Sequence, residues 1–418
     1  MRVLYISYFY PPLGGPAALR NVKTVKYLAQ SGITCDVITV RDIEYLYRDQ
    51  SLLEENAAAK IIRTDSLDPM ALLKKSRGGE NPGLSSVYLN TPEKLKLRVR
   101  QLYPVDNKIG WLPQLIKAGR QALKDQSYDL IYISLGPFSS GIGAYALSRE
   151  SGIPLAVDLR DYWTLLADYD LQGGALYKKL SRALEQRIYR QASLIVTATG
   201  GIASDAAKAF GPELRDKMIT VYNGWDESDF ADLPKAEADE GYSFAYFGNI
   251  YARRSLRHFY RALARLRAEN ALPPNTRVKL YGNFFRETLD EIAASGIADL
   301  IDIVPQLSHR EALAAMRNAN ALLLVVNSSS PRGTLTSKVF EYLRVQKPIL
   351  AMVPSHNEAA ALLKQCGHDL ICAMESADSI HHCLKRLFTE GSREYSVPWE
   401  LQRQTQVAKL AERLKTLF

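Results

Sequence analysis

At 418 residues the chain is too long for one ordinary hydrophobic core, so two or three domains are expected. Its composition, 47% hydrophobic and 23% charged with a mean hydropathy of −0.17, is that of a soluble globular protein. No apolar run approaches the ~20 residues needed to span a bilayer. The net charge of +8, from 53 basic and 45 acidic residues, fits nucleic acid, an anionic membrane surface or phosphorylated substrates. No nucleic-acid motif accompanies that charge, so nucleic acid is not an expected partner. Four cysteines (Cys35, Cys366, Cys372 and Cys383) show no CxxC or zinc-like spacing and read as reduced thiols.

In chain order, Val3–Ser7 reads as a strand, Ala17–Ser31 as a helix and Cys35–Val40 as the next strand. Because a strand and the Pro11-Pro12, Gly14-Gly15 turn open the chain, no secretory leader is expected and the compartment is expected to be cytoplasmic. Asp65–Gly83 lacks a clear period and is expected to be a long loop. Leu130–Ser134, Leu155–Leu159 and Leu194–Thr199 read as further strands. A polar, acidic stretch at Ser228–Gly241 reads as a linker. The pattern then restarts with a strand at Phe244–Phe247, a helix at Leu256–Glu269, and strands at Val278–Tyr281, Ile301–Val304, Leu322–Val326 and Ile349–Met352. A last helix is expected over Trp399–Phe418. Strands alternating with helices imply parallel, doubly wound sheets in an α/β protein, one in each half. The expected division is 1–228, a linker 229–241, 242–395 and a C-terminal helix 396–418.

The most informative stretch is Asn327–Leu350, NSSSPRGTLTSKVFEYLRVQKPIL, after the buried-strand pattern Ala321–Val326. A strand feeding a polar loop at a helix N-terminus is an anion site, because first-turn amides have no intrahelical partners. Lys338 adds a point charge for a phosphate, and Glu341, one turn on, can accept from sugar hydroxyls. Together they suit a nucleoside diphosphate sugar.

Other candidates lie at carboxyl ends of strands, where open α/β sheets bind ligands. Gly14 and Gly15 let backbone approach a ligand, with Arg20 in the first turns of the following helix, although glycines there also serve as plain turn chemistry. Val157–Trp163, VDLRDYW, gathers Asp158, Arg160, Asp161 and Trp163, suited to contacting a reacting sugar or its acceptor, or to an Asp–Arg pair that fixes the loop. Gly248 and Asn249 precede Arg253 and Arg254, either of which can clamp a pyrophosphate or stay a solvated charge. Lys94–Lys124 mixes eight basic residues and the single acid Asp106 with Tyr103, Ile109, Trp111, Leu112 and Leu115. That mixture suits the surface of an anionic membrane leaflet, the reading favoured here, or a helix pair with a basic outer face.

Five pieces in this order resemble the retaining glycosyltransferases of family 4, which have the GT-B fold. They are YFYPPLGG with Arg20, VDLRDYW, Tyr222–Asp226 (YNGWD, similar to the family's Asn-Gly-x-Asp), FGNIYARR in Tyr246–Arg254, and the SKVFEYLRVQKPIL block. The resemblance implies two facing Rossmann-like domains with a C-terminal helix crossing back to the first. It implies transfer of a sugar, with retained configuration, from a nucleoside diphosphate sugar (a uridine-linked one) to a lipid-linked glycan or polysaccharide precursor, as in bacterial surface-polysaccharide assembly. Glu341 would accept from the ribose hydroxyls. Lys338, Arg254 and the amides of Gly333, Thr334, Leu335 and Thr336 would hold the diphosphate, and Gly15 would approach the transferred sugar or its phosphate. Gly248, Asn249 and Arg253 would complete the donor site. The acceptor would lie near Asp161, Arg160, Gly14, Arg20 and Trp111, with Asp161, Arg254, Lys338 and Glu341 carrying the chemistry.

One departure stands out. The family's first glutamate falls at Gly333, which has no side chain to bond the donor sugar, so its recognition would rest on backbone groups or another residue, such as Ser337 or Asn249. No DxD-type carboxylate pair is placed for a metal, and neither metal nor cofactor is expected. A peripheral position on the inner face of the membrane follows if the basic segment meets lipid. Two alternatives remain open: a nucleotide-sugar epimerase or hydrolase of the same fold, and a non-catalytic subunit that binds a sugar nucleotide.

Overall fold

The computed structural model describes all residues except 42, 44, 46–47, 57–58, 69–70, 72–102, 167–174, 232, 235–239, 251–253 and 391–392. The chain forms two compact units, Met1–Asn223 with Gln404–Phe418, and Gly224–Arg403.

The first unit is built on β1 (Arg2–Ile6), β2 (Thr34–Val40), β3 (Lys60–Thr64), β4 (Leu130–Leu135), β5 (Leu155–Leu159), β6 (Leu194–Thr197) and β7 (Met218–Thr220). They form one parallel sheet in the order β3-β2-β1-β4-β5-β6-β7. Its helices are α1 (Pro16–Gln30), α2 (Leu112–Asp125), α3 (Ser140–Ser151), α4 (Ala175–Gln191) and α5 (Gly200–Phe210). Both faces of the sheet are covered, which is why its strands read as continuous apolar runs. Along β1, Val3 and Tyr5 enter one core cluster while Leu4 and Ile6 enter the other.

The second unit repeats the plan with β8 (Ser243–Phe247), β9 (Arg277–Tyr281), β10 (Ile301–Val304), β11 (Ala321–Val325), β12 (Ile349–Met352) and β13 (Ile371–Cys372). Their order is β10-β9-β8-β11-β12-β13, again all parallel. Between them run α6 (Arg257–Ala268), α7 (Arg286–Ala293), α8 (His309–Asn318), α9 (Lys338–Val345), α10 (Glu358–Gln365) and α11 (Ala377–Thr389). In each sheet the strand order reverses beside the first strand, between β1 and β4 and between β8 and β11. Such a reversal opens a crevice at the strands' carboxyl ends. β8 and β11 pair only through Ala321↔Phe244 and Leu322↔Ala245, so they part before their carboxyl ends.

The C-terminal helix, α12 (Arg403–Lys415), belongs from Gln404 onward to the first unit, where Val407, Leu410 and Leu414 pack in the cluster of Val3 and Tyr5. It is shorter than the predicted Trp399–Phe418, since Trp399–Leu401 forms a separate 3₁₀ turn. The strand expected to reach Thr199 stops at Thr197, because Thr199 caps α5 by accepting from the Ile202 amide at 3.2 Å. Strands β3 and β7 carry too little apolar sequence to be legible; both lie at sheet edges.

Two predicted acceptor residues are structural instead. Arg20 is buried in a two-pronged ion pair with the buried Asp158, Nη2–Oδ1 2.8 Å and Nε–Oδ2 2.9 Å. Its Nη1 donates to the Val221 carbonyl and to Asn223 Oδ1, both at 3.0 Å, so the guanidinium ties α1 to β5 and to the segment after β7. Trp111 is 1% exposed, meets the Tyr8 ring edge-on at 5.3 Å and donates to Thr64 Oγ1 at 2.7 Å. Burial among these groups rules out contact with an acceptor or with lipid. Lys108 likewise leaves the expected basic face: it pairs with the buried Asp68 at 3.0 Å. Of the basic segment, 94–102 lies outside the described residues, as do 69–70 and 72–83 of the expected long loop. Lys117, Arg120 and Lys124 remain exposed along α2, and Arg120 pairs with Glu150.

Arg20→Ala would leave Asp158 as a buried, unpaired charge, and such a break costs about 3–5 kcal/mol. Chemical denaturation is expected to record that loss, with Arg20→Lys recovering little because an ammonium cannot make the two-pronged bond. Unchanged stability in Arg20→Ala would refute the clamp.

Candidate functional site

The crevice of the second unit is lined by the loops after β8 and β11. After β8 the backbone turns at Gly248, whose φ of 106° favours glycine. The Asn249 side chain accepts from the Asn283 amide at 3.0 Å, and the Asn249 carbonyl accepts from the Tyr246 hydroxyl at 3.3 Å, which pins the loop to the ends of β8 and β9. Arg253 lies outside the described residues. Arg254 is half-buried and close enough to Lys338 for its charge to be felt there.

The loop after β11 leads into α9. Val339, Phe340, Tyr342 and Leu343 turn that helix onto the core, and the Tyr342 hydroxyl reaches the Leu323 carbonyl at 3.4 Å. The remaining stripe carries Lys338 and Glu341, which share a face because they are three residues apart. The amides of Val339 and Phe340 fold back onto the carbonyls of Thr336 and Ser337, both at 3.3 Å. Among the described residues, the amides of Leu335, Thr336, Ser337 and Lys338 have no carbonyl acceptor. Gly333 is buried in the loop, and Thr334 donates to the Pro331 carbonyl at 3.0 Å.

Lys338 directs its ammonium over Gly248. A Cβ at position 248 would stand 2.1 Å from its Nζ, so the lysine occupies the space that a side chain there would need. The ammonium also lies 5.7 Å from the centre of the Tyr246 ring. Burial, aided by the like charge of Arg254 and opposed by Glu341, lowers its pKa to about 8. Burial raises the Glu341 carboxyl, while His309, Arg403 and Lys338 pull it down and Asp229 pushes it up. Two buried atoms of the same loop, Asn327 Oδ1 and Thr336 Oγ1, have no hydrogen-bond partner.

Chemically, the second-unit loops bring together an ammonium, a guanidinium, unpaired amides and a carboxylate. That set can hold a diphosphate and accept from hydroxyl groups beside it. Sequence reasoning missed His309, Asp229 and Asn327 at this crevice. The Ser308–Glu311 capping box places His309, and its S-x-x-E pattern was the available signal.

In the first unit, Gly15 caps α1 with a φ of 89° and is partly exposed. Gly14 is buried, and a Cβ there would stand 3.2 Å from Arg48 and Asp49, so the turn packs closely on that segment. Arg160 donates to the carbonyls of Leu135 at 3.0 Å and Gly136 at 2.8 Å, joining the loops after β4 and β5. Asp161 is exposed at the end of β5. Crowding by protein raises its carboxyl against the pull of Arg160 and Arg20, and its contact with solvent limits the effect. Trp163 stacks on Phe138 at 5.2 Å in the buried core.

Residues 24–224 match the glycosyl transferase 4-like domain family. No curated protein sequence gives a match. Among solved structures, sucrose-phosphate synthase from Thermosynechococcus elongatus is similar over 100% of this chain and 96% of its own, with a TM-score of 0.61 at 13% identity. A lipopolysaccharide outer core galactosyltransferase in its apo form matches 99% of this chain and 100% of its own, with a TM-score of 0.58 at 14% identity. UDP-GlcNAc 2-epimerase from Neisseria meningitidis, bound to UDP-GlcNAc, matches 100% of both chains with a TM-score of 0.57 at 12% identity. At these identities the likeness is one of fold. Residues 24–224 thus match a glycosyl transferase 4-like domain, and the fold of the chain that contains them is GT-B, as in these similar structures.

Proposed function

We propose that this protein is a retaining glycosyltransferase that moves a sugar from a uridine-linked nucleoside diphosphate sugar to a hydroxyl of a lipid-linked glycan or polysaccharide precursor. The observation that carries the reading is the crevice beside β8 and β11, where the Lys338 ammonium lies over Gly248 with Glu341 one turn further on. The epimerase similar in fold holds a UDP-sugar, and the similar galactosyltransferase is a sugar-transferring enzyme, which accords with such a donor. Lys338, Arg254 and the amides of Leu335–Lys338 would meet the negative charge that gathers on the leaving diphosphate, the largest contribution expected of a preorganised site. Glu341 would accept from the ribose. With these groups doing that work, the reading calls for no metal. Asp161 and Arg160 would face the acceptor. The exposed Lys117, Arg120 and Lys124 of α2 would rest near an anionic membrane surface, and no described helix is long and apolar enough to cross a membrane.

The shared fold of UDP-GlcNAc 2-epimerases supplies the second reading. Incubation with donor alone separates them: a transferase should release nucleoside diphosphate efficiently only with an acceptor present, whereas an epimerase interconverts the sugar without one.

Removal of one charge-stabilising group typically costs about 10²–10³ in rate, so Lys338→Ala should lose that much turnover with the fold intact. Glu341→Ala should lower donor affinity by about 10- to 100-fold, the worth of a hydrogen bond to a charged group. Near-normal turnover in both variants would remove the donor-site assignment. A methyl at position 248 would need a positive φ costing about 1–2 kcal/mol and would displace the lysine, so Gly248→Ala should fold but bind donor about tenfold more weakly. Wild-type affinity in that variant would refute the Lys338 placement.

The pH dependence follows from the lowered lysine pKa. The amine is charged below about 8 and neutral above it, so attraction for a diphosphate is present at low pH and lost as pH rises. Nucleoside diphosphate affinity should fall by about tenfold per pH unit above that point, until the pKa of the bound form is reached. Calorimetric titration across this range should show no such fall in Lys338→Met.

A further inference from the structure

We propose that His309 is a positioning residue of the donor site, standing between Asp229 and Glu341 and steadying the Glu341 carboxylate so that it can receive the nucleoside's ribose. The inference rests on the donor reading above and adds the device that orients its carboxylate. His309 is the first residue of α8, and the capping box fixes it there: Ser308 Oγ accepts from the Glu311 amide at 3.3 Å, and Glu311 Oε2 accepts from the Ser308 amide at 2.9 Å. Its Nε2 stands 3.4 Å from Asp229 Oδ2 and 3.8 Å from Glu341 Oε1. The imidazole thus stands between two carboxylates, nearer to Asp229 than to Glu341.

Asp229 is a fixed anchor for this arrangement. It lies in the turn Glu227–Phe230, shortly after the chain enters the second unit at Gly224. Asp226 holds the turn from one side, accepting from the Ser228 amide at 3.0 Å and its hydroxyl at 2.7 Å. On the other side Glu227 pairs with Arg344 of α9 at 2.7 and 2.5 Å, and that guanidinium lies 5.0 Å from the centre of the Phe230 ring. Turn and helix are thereby locked together, and the gap that His309 fills has a set width.

The charges facing Glu341 are His309 from α8, Lys338 from α9, Arg403 from α12 and Asp229 from the turn. Asp229 and burial both favour a protonated Glu341, and His309 is the first of the groups that oppose them. An ionised carboxylate is acceptor-only and can take two ribose hydroxyls, whereas a protonated one gives up part of that capacity. Without the imidazole, Glu341 would lose both its charge balance and its orientation.

The test is calorimetry on the full chain with whichever of uridine, guanosine and adenosine diphosphate binds most tightly, and with inorganic pyrophosphate, which has no ribose. His309→Ala should weaken the nucleoside diphosphate about tenfold while leaving pyrophosphate within about twofold. His309→Gln keeps an N–H at similar reach and should recover part of that loss, which also guards against a misfolded alanine variant. In a Glu341→Gln background, His309→Ala should add less than about twofold, because groups acting through one another are not additive. Equal losses for both ligands, or a full further loss on top of Glu341→Gln, would overturn the role. If Glu341→Gln weakens binding and His309→Ala does not, the role falls while the donor reading stands. No binding of any of the three nucleotides, or no effect of Glu341→Gln, would reject both.

Discussion

Lys338 leaves the first turn of α9 and sets its ammonium over bare backbone at Gly248, in a space closed to any side chain at that position. Everything else at the second-unit crevice is arranged around that charge. The parting of β8 from β11 makes the room, and the positive φ of Gly248 brings the loop beneath the lysine. The apolar stripe of α9 holds the helix so that Lys338 and Glu341 share its outer face. Burial keeps the ammonium less hydrated than a surface lysine, which strengthens its attraction for an incoming anion while lowering its hold on its own proton.

The two sheets share the order 3-2-1-4-5-6, to which the first adds a seventh edge strand, and their equivalent crevices are furnished differently. In the second unit, Arg254 and Lys338 stand at the loops after the first and fourth strands. In the first unit the charged residues near the same point largely satisfy one another. Arg20 is spent on Asp158 and on the segment after β7, and Arg160 on carbonyls of the neighbouring loop. Asp161 is the charged group of VDLRDYW that remains exposed. A fold that binds ligands at strand ends therefore carries, on one chain, one such end rich in anion-binding chemistry and another in which a buried ion pair acts as a fastener.

Gly333 removes a side chain from the loop after β11, and two buried atoms of that loop, Asn327 Oδ1 and Thr336 Oγ1, lack partners. On the proposed reading, a hydroxyl-rich donor could satisfy both without the glutamate that Gly333 replaces. The same crevice adjoins the turn Glu227–Phe230, which Arg344 binds to α9. The groups proposed to bind the donor and the point where the chain enters the second unit thus meet at one helix.

Much of this was legible in local sequence. Apolar runs separated by helical periods announced the α/β class, and most strands fell within a residue or two of their predicted ends, because most are apolar runs buried on both faces. The strand, polar loop and helix around Lys338 and Glu341 could be read for the same reason: every part of the signal lies within one short stretch. The short strands β3, β7 and β13 escaped notice, since each offers only two apolar residues. Only tertiary structure could decide the fate of Arg20, Trp111, Lys108 and Gly14, whose types and loop positions look like ligand contacts until their partners arrive from remote segments. It alone set His309 and Asp229 against Glu341. Periodicity and turn chemistry act between neighbours along the chain, whereas burial and charge pairing depend on which distant elements the packing brings together.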